Sequence, residues 1–161
     1  MALLLFTREF VIRHWHRNEC NYCSVIHNER GFSMRVDMEF YEDDEGISVD
    51  FVLSAFGPSL VQCINLEFDS VDEKMKKDID FLIKKQKYFS EKIASETQTY
   101  SKRIYGADAK DLILLKVYLS PDEDNEFGFM FSTNLDEDHG IGIKFKGLEV
   151  KKIGSGETAF L

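Results

Sequence analysis

The sequence lacks most of the features that mark a secreted or membrane-spanning protein. It has three cysteines, and this odd number does not make a closed disulfide framework. No apolar run reaches the roughly 20 residues that cross a bilayer. The apolar segment 1–6 has neither the basic flank nor the cleavage site of a secretory signal. We therefore expect a soluble, cytoplasmic protein in which Cys20, Cys23 and Cys63 remain reduced.

Sequence motifs of catalysis are also missing. No serine or cysteine lies in a recognisable nucleophile elbow, and no glycine-rich phosphate loop precedes a helix. These absences predict a protein without intrinsic turnover and without a cofactor. A small hydrolase that uses His139 with Asp136 or Asp138 is the enzymatic alternative, and it requires these side chains to converge in a pocket. His139 is otherwise expected to be a turn residue that bonds the backbone.

Histidine and cysteine are concentrated in one segment, HWHRNECNYCSVIH, at residues 14–27. Its pattern, H-x-H-x3-C-x2-C-x3-H, contains the paired-thiolate spacing that tetrahedral zinc favours. A zinc site here would use Cys20, Cys23, His27 and one of His14 or His16. Structural zinc sites usually join two separated ligand pairs, and a chain of 161 residues has enough apolar residues for a core without metal. We therefore predict no metal at this segment.

An acidic run at 122–128, DEDNEFG, has the alternating oxygen ligands of a calcium loop. Phe127 occupies the position where an EF-hand loop requires glycine, and Thr133 stands where its bidentate glutamate should be. These two departures argue against a calcium site.

Charge is distributed unevenly along the chain, whose formal net charge is −9. Residues 1–70 carry a net −7, residues 71–104 a net +3 and residues 105–161 a net −5. The acidic groups concentrate in three runs, at 42–45, 122–126 and 136–138. An acidic surface repels nucleic-acid phosphates and accelerates encounter with a basic protein. Such runs can also be solvated turns that only keep a small domain soluble.

Apolar periodicity predicts an α+β fold in one domain spanning 1–161, with a mostly antiparallel sheet of about six to eight strands and one long central helix. The β-rich parts are 1–70 and 110–154. In the first part, SMRVDMEFY alternates through Met38 and Phe40, and ISVDFVLSA alternates through Ile47, Val49, Phe51, Leu53 and Ala55. QCINLEF then places Ile64, Leu66 and Phe68 inward, and FVIRHW at 10–15 is a possible further strand.

A helix is predicted at about 70–105. SVDE forms a capping box in which Ser70 and Glu73 bond each other's amides, and Gly106 is a natural stop. A kink or a second short helix near 95–99 is an alternative, because about 33 residues without a break are many for a globular helix. The lysines interleave with acids, which favours a solvated face with ion pairs over a nucleic-acid site. The predicted apolar stripe comprises Met75, Ile79, Leu82, Phe89, Ile93, Tyr100 and Ile104.

Four further strand segments follow the helix. LILLKVYL is apolar on both faces, which predicts a central strand covered on both sides. Its two faces are predicted to hold Ile113, Leu115, Val117 and Leu119 on one side, and Leu112, Leu114 and Tyr118 on the other. EFGFMFST aligns Phe127, Phe129 and Phe131, and a last hairpin turns around Lys146-Gly147. Glycines at 128, 140 and 142 permit another backbone or an aromatic ring to approach closely.

The segment AKDLILLKVYLSPDEDNEFGFMFSTNLDEDHGIGIKFKGLEVKKIG, at 109–154, resembles the C-terminal half of a bacterial domain of unknown function found among immunity proteins of polymorphic toxin systems. In that half, an acidic D-x-D/E-H-G-I/L-G-I/V turn joins two strands, and the final strand ends in glycine. The matching positions are Asp136, Asp138, His139, Gly140, Gly142 and Gly154. The resemblance covers about a third of the chain. It implies a small non-enzymatic protein that neutralises a cognate toxin, such as one delivered by contact-dependent growth inhibition.

Combined with the acidic loops, this resemblance predicts how the partner is bound. Toxins that attack RNA or DNA need basic, phosphate-binding active sites, and carboxylates can occupy such a cleft. We expect the partner to be a basic toxin domain with nuclease activity. We expect neither nucleic acid nor a membrane to be a partner. A structural adaptor without a toxin neighbour is the non-enzymatic alternative. The predicted partner-binding residues are Tyr41, Glu42, Asp43, Asp44, Glu45, Asp122, Glu123, Asp124, Glu126 and Phe127.

Overall fold

The computed structural model describes residues 22–27, 33–67 and 69–161, with side-chain surroundings from Met38 onward. The first half contains strands β1 Tyr22–His27, β2 Ser33–Met38, β3 Phe40–Glu42, β4 Gly46–Val52 and β5 Leu60–Leu66. The second half contains helix α1 Glu73–Tyr105 and strands β6 Ile113–Leu119, β7 Glu126–Ser132, β8 Ile141–Lys146 and β9 Glu149–Ser155, followed by a 3-10 turn Gly156–Ala159.

The strands form two sheets. β1 and β2 pair as an antiparallel hairpin, and the other strands form a seven-stranded sheet in the order β3-β4-β5-β6-β7-β8-β9. Every neighbouring pair in the larger sheet is antiparallel except β5 and β6, which are parallel and are connected through α1. A parallel pair requires such a long crossover because its strands run in the same direction. The predicted α+β class with one long helix is confirmed.

Helix α1 packs across one face of the seven-stranded sheet. Met75, Ile79, Leu82, Phe89 and Ile93 are all buried there, as the apolar stripe predicted. Ile104 is exposed, so its predicted place in the stripe is wrong. A helix of 33 residues is about 50 Å long, whereas a seven-residue strand spans about 24 Å. The C-terminal end of α1 keeps some contacts, since Ser101 is buried and the Tyr105 hydroxyl donates to Asp136, but Ile104 lies on its solvent side.

The ends of α1 differ in part from the prediction. Asp72, rather than Ser70, is the N-cap, and its carboxylate accepts a hydrogen bond of 2.7 Å from the amide of Met75. The capping box is therefore wrong, because the helix begins at Glu73 and Ser70 lies before its first turn. Gly106 ends the helix in the left-handed conformation as predicted, and α1 continues past 95–99 without a second helix.

Phenylalanine rings form the centre of the core between α1 and the sheet. The Phe89 ring lies 5.5 Å from that of Phe127, 5.1 Å from Phe129 and 5.1 Å from Phe145. Phe81 stacks on Phe127 at 5.8 Å with nearly parallel planes. Offset and edge contacts of this kind add to the free energy of apolar burial. The predicted alignment of the β7 phenylalanines is therefore confirmed as a core feature.

Strand β6 is the middle strand of the sheet, as its two apolar faces predicted, but the assignment of its faces is wrong. A β-bulge between Leu114 and Lys116 inserts Leu115 as an extra residue opposite β7. Leu114 is consequently buried on the helix side with Val117 and Leu119, whereas Ile113 and Leu115 are exposed. A bulge shifts the alternation of side chains, and strict period-two counting does not detect it.

Strand β5 is likewise buried on both faces. Val61 and Cys63 contact the helix-side core, whereas Ile64 and Leu66 pack with Tyr118 and Ala159 on the opposite face. Ile64 and Leu66 therefore point inward as predicted, but on the face opposite α1. Alternation separates the two faces of a central strand but does not show which face the helix covers. Phe68 lies outside the described residues.

The C-terminal segment 156–161 covers part of the second face of the sheet. A Cβ atom at Gly128 would overlap the backbone of Ala159, and one at Gly142 would crowd Ser155 and Ala159. The predicted close approach at these two glycines is confirmed. The prediction also holds for Gly140, where a Cβ atom would overlap the Phe131 carbonyl, and this glycine has in addition a positive φ of 66° in the turn before β8.

Some predictions concern residues that the structure does not describe. FVIRHW, at 10–15, falls outside the described ranges, as do His14, His16 and Cys20, and the side chains of Cys23 and His27 are likewise not described. Within the described ranges, α1 is too polar for a membrane span, and no other helix there is long and apolar enough to be one.

Replacing Leu82 with Asp is expected to abolish soluble expression. Leu82 has no exposed surface in the described structure. Burying an unpaired carboxylate in an apolar layer costs several kcal/mol, which is a large part of the free energy of unfolding of a typical domain. The matched control is Lys85→Asp on the exposed side of the same helix, which should remain soluble. A soluble Leu82→Asp protein with an unchanged melting temperature would show that the stripe is not core.

Candidate functional site

The two acidic loops predicted to bind a partner lie at the same end of the seven-stranded sheet. The first loop, 43–45, leads into β4, whose first residue Gly46 pairs with Leu66 at the end of β5. Because β5 and β6 are parallel, β6 ends at the same end of the sheet as β5, with Leu119 beside Asn65. The second loop, 120–125, follows directly. At about 4.8 Å per strand, the loops are roughly 14 Å apart.

The connection from β5 to α1, residues 67–72, reaches the same end of the sheet. The amide of Glu67 donates to the carbonyl of Glu45, which ties this connection to the first acidic loop. Glu67 has a positive φ of 62°, a conformation that non-glycine residues seldom adopt. This end of the sheet, termed the acidic end, thus holds Glu42, Asp43, Asp44, Glu45, Glu67, Asp69, Asp72, Glu73, Asp122, Glu123, Asp124 and Glu126.

A buried ion pair holds the second acidic loop in place. The Asp78 carboxylate accepts a hydrogen bond of 2.6 Å from the Lys74 ammonium group and one of 2.9 Å from the amide of Asn125. Lys74 also donates to the carbonyl of Ser120 at 2.7 Å, so both ends of the loop are bonded to α1. Sequence reasoning missed this anchor, although the Lys-x3-Asp spacing on the helix could have indicated it.

Asp43 shapes the first loop from inside. Its carboxylate accepts hydrogen bonds from the amides of Glu45 and Gly46, from Ser48 Oγ at 2.8 Å and from Gln62 Nε2 at 2.7 Å. Partial burial raises the pKa of Asp43, but the hydrogen bonds outweigh it, and the net pKa lies below the usual value. Asp43 therefore orders the loop, and its predicted contact with a partner stays a prediction.

Lysines pair with three of the predicted acidic contacts. The Glu45 carboxylate lies 2.6 Å from Lys116 Nζ, and the Glu126 carboxylate lies 3.3 Å from Lys144 Nζ. Glu123 pairs with Lys146. Asp44, Asp122 and Asp124 are exposed, and no hydrogen bond or ion pair connects them to another described residue. Glu42 is exposed and likewise unpaired within the described ranges. These four carboxylates are accessible to a basic partner without displacement of a paired lysine.

The two predicted aromatic contacts have opposite surroundings. Tyr41 is exposed on β3, and its hydroxyl donates to Asp50 at 3.0 Å. Phe127 has no exposed surface, because its ring packs against Phe81 and Phe89. A partner cannot contact Phe127 without unfolding the core, so the prediction is wrong for this residue. The alternation of β7 places Phe127 on the helix side.

His139 and Asp136 meet at the opposite end of the sheet, in the turn between β7 and β8. Asp136 Oδ1 lies 3.0 Å from His139 Nδ1 and accepts the His139 amide at 3.0 Å, while the Asp136 carbonyl accepts Gly140 N. The imidazole is 65% exposed, and the pocket formed by Tyr118, Glu126, Lys144 and Phe160 lies elsewhere. This geometry is that of a turn that orders its own backbone.

Metal ligands do not converge in the part of the chain that the structure describes. No group of three or more His, Cys, Asp or Glu residues there is arranged to hold an ion. Cys63 is fully buried, and desolvation raises the pKa of its thiol far above the ordinary value, so it is held as a neutral core residue.

Asp43→Ala is expected to lower the free energy of unfolding by about 1–3 kcal/mol, since its donors lose their shared acceptor. Asp44→Ala, one residue along, should change stability by less than about 0.5 kcal/mol. Urea denaturation of the two variants measures the difference. Equal losses would show that the Asp43 hydrogen bonds do not order the loop.

His139 should titrate above the ordinary pKa of about 6.5, because the Asp136 carboxylate bonds and attracts the imidazolium. Its contribution to stability is fully present below the unfolded pKa and is lost as the pH rises through the raised folded pKa. NMR titration of the His139 ring in the wild type and in Asp136→Asn measures this. An unchanged pKa in the variant would contradict the pairing.

Comparison with known proteins does not add to this description of the site. No family model, no curated protein and no solved structure matches the chain.

Proposed function

We propose that this protein binds and neutralises a cognate bacterial toxin with a basic surface, and that the toxin is a nuclease. The acidic end covers the phosphate-binding active site and takes the place of the nucleic-acid backbone. One observation carries the proposal: both acidic loops lie at the same end of one sheet, although about 75 residues separate them in sequence. The resemblance of segment 109–154 to immunity proteins points to the same function.

Carboxylates at the acidic end are well suited to bind a basic cleft. Hydrogen bonds to Asp43 and Asp78 hold both loops before any partner arrives, so binding costs little ordering entropy. Charge complementarity should act mainly on the rate of encounter, which then falls steeply with salt. The net charge of −9 adds a long-range attraction to any cationic partner.

The contact residues follow from the pairing of each acid. Asp44, Asp122 and Asp124 are exposed and unpaired within the described ranges, and they form the primary contact set together with Glu42 and Tyr41. Glu45, Glu123 and Glu126 are partly neutralised by lysines, and a partner must displace those lysines to use them. Surface ion pairs of this kind are weak, so their exchange costs about 1 kcal/mol or less.

Neutralising the primary contacts in Asp44→Asn/Asp122→Asn/Asp124→Asn should lower the association rate with the toxin domain at least tenfold at low ionic strength. The probe is the C-terminal domain of the protein encoded immediately upstream, and the measurement is stopped-flow or surface plasmon resonance at several salt concentrations. The same variant should protect toxin-producing cells less well than the wild type.

The matched control is Glu91→Gln/Glu137→Gln/Asp138→Asn, which removes three exposed carboxylates far from the acidic end. Both variants raise the net charge by three, so only position differs between them. Equal rate losses in the two variants would contradict a local role for the acidic end. Failure of the wild type to bind or to protect, or the lack of a secreted toxin gene upstream, would contradict the immunity function itself.

A further inference from the structure

The face of the sheet opposite α1 is only half covered by the described residues. The C-terminal segment 156–161 lies over the glycines of β7 and β8, and Phe160 reaches Tyr118 on β6 at 5.4 Å. On the other side of Tyr118, the face continues over β3, β4 and β5. We name this uncovered half the open face, and its strand residues are Tyr41, Asp50, Val52, Leu60, Gln62 and Lys116.

Exposed aliphatic side chains form a row across the open face. Val52 and Leu60 are direct partners in the pairing of β4 with β5, and they are 47% and 67% exposed. The neighbouring strand β6 also carries exposed aliphatic side chains, just before Lys116, the residue that pairs with Gln62. Ile113 and Leu115 are 55% and 43% exposed there. Clustered exposed apolar side chains are typical of binding surfaces rather than of isolated surface residues.

Next to the aliphatic row lies a connected polar network. Gln62 Nε2 donates to the Tyr41 hydroxyl at 3.1 Å and to Asp43 at 2.7 Å, and Tyr41 donates to Asp50. This network runs directly into the first acidic loop, because Asp43 and Glu45 bond residues of the open face. The open face and the acidic end are therefore one continuous surface.

We infer that the open face is the docking surface for the basic partner, with the aliphatic row as the apolar centre of the interface and Tyr41 with Asp50 as the receiving site for a cationic side chain. This inference rests on the proposed function and deepens it. The Tyr41 ring is 38% exposed beside an exposed carboxylate, which suits the combined ion pair and cation–π contact of an arginine.

Charge selects the basic partner over a second copy of the chain. Among the described residues, the open face and its loop carry Asp43, Glu45 and Asp50 against one cation, Lys116. Two copies stacked face to face would bring these acids together, whereas a cationic partner neutralises them. A stable interface buries about 800 Å² on each partner. We therefore propose that the partner contacts the open face and the acidic end together, as one surface.

The test variant is Val52→Thr/Leu60→Thr, which keeps β-forming residues in both strands while it makes the row polar. We expect its dissociation constant for the upstream-encoded toxin domain to rise at least tenfold, chiefly through faster dissociation. The control is Ile104→Ala, which removes an equally exposed aliphatic side chain from α1 and should leave binding unchanged. Hydrogen exchange of the complex should show protection in 41–52, 60–66 and 113–118.

If the wild type binds the toxin domain and protects cells, and Val52→Thr/Leu60→Thr binds with the same affinity, the docking surface is overturned and the immunity function stands. A wild type that does not bind the toxin domain would remove both. A dimer that this variant converts to monomer would assign the face to a second copy. A fall of more than about 5 °C in the melting temperature of the variant corresponds to a loss of more than roughly 1 kcal/mol in free energy of unfolding. Such a loss would show that the free chain itself covers the row. Either result would overturn the inference.

Discussion

The parallel pairing of β5 with β6 is the constraint on which the rest of the structure depends. It forces the chain to cross from one end of the sheet to the other, and α1 is the segment that makes the crossing. The same pairing brings the loop before β4 and the loop after β6 to one edge, because β4 starts where β5 and β6 end. The acidic end is thus a consequence of topology rather than of nearby sequence.

The two faces of the sheet are stabilised by different means. On the helix side, large aromatic side chains fill the layer, and the Phe89 ring contacts three phenylalanines from β7 and β8. On the other side, glycines at 128 and 142 allow the backbone of the C-terminal segment to lie directly on the strands. That segment covers only part of the face, and the uncovered part is where the exposed aliphatic row and the polar network lie together.

Acidic residues that look alike in the sequence have three different roles in the fold. Asp43, Asp72 and Asp78 accept backbone hydrogen bonds and order loops or helix ends. Other acids pair with lysines on neighbouring strands, as Glu45 does with Lys116. A third group, which includes Asp44, Asp122 and Asp124, extends into solvent without a described partner. The proposed function depends most directly on this third group, because none of these three carboxylates forms an ion pair with a described lysine.

The sequence by itself determined the α+β class, the extent of α1 to within three residues and the alignment of the β7 phenylalanines, since these follow from local periodicity and from a glycine stop. It also indicated that Gly128 and Gly142 permit close approach. Tertiary structure alone decided that Leu114 rather than Ile113 faces the helix, because a bulge shifts the strand, and that Phe127 is core rather than contact. It also decided which acids are paired and that the two acidic loops lie at the same end of the sheet, since pairing and strand order arise from contacts between segments far apart in the chain.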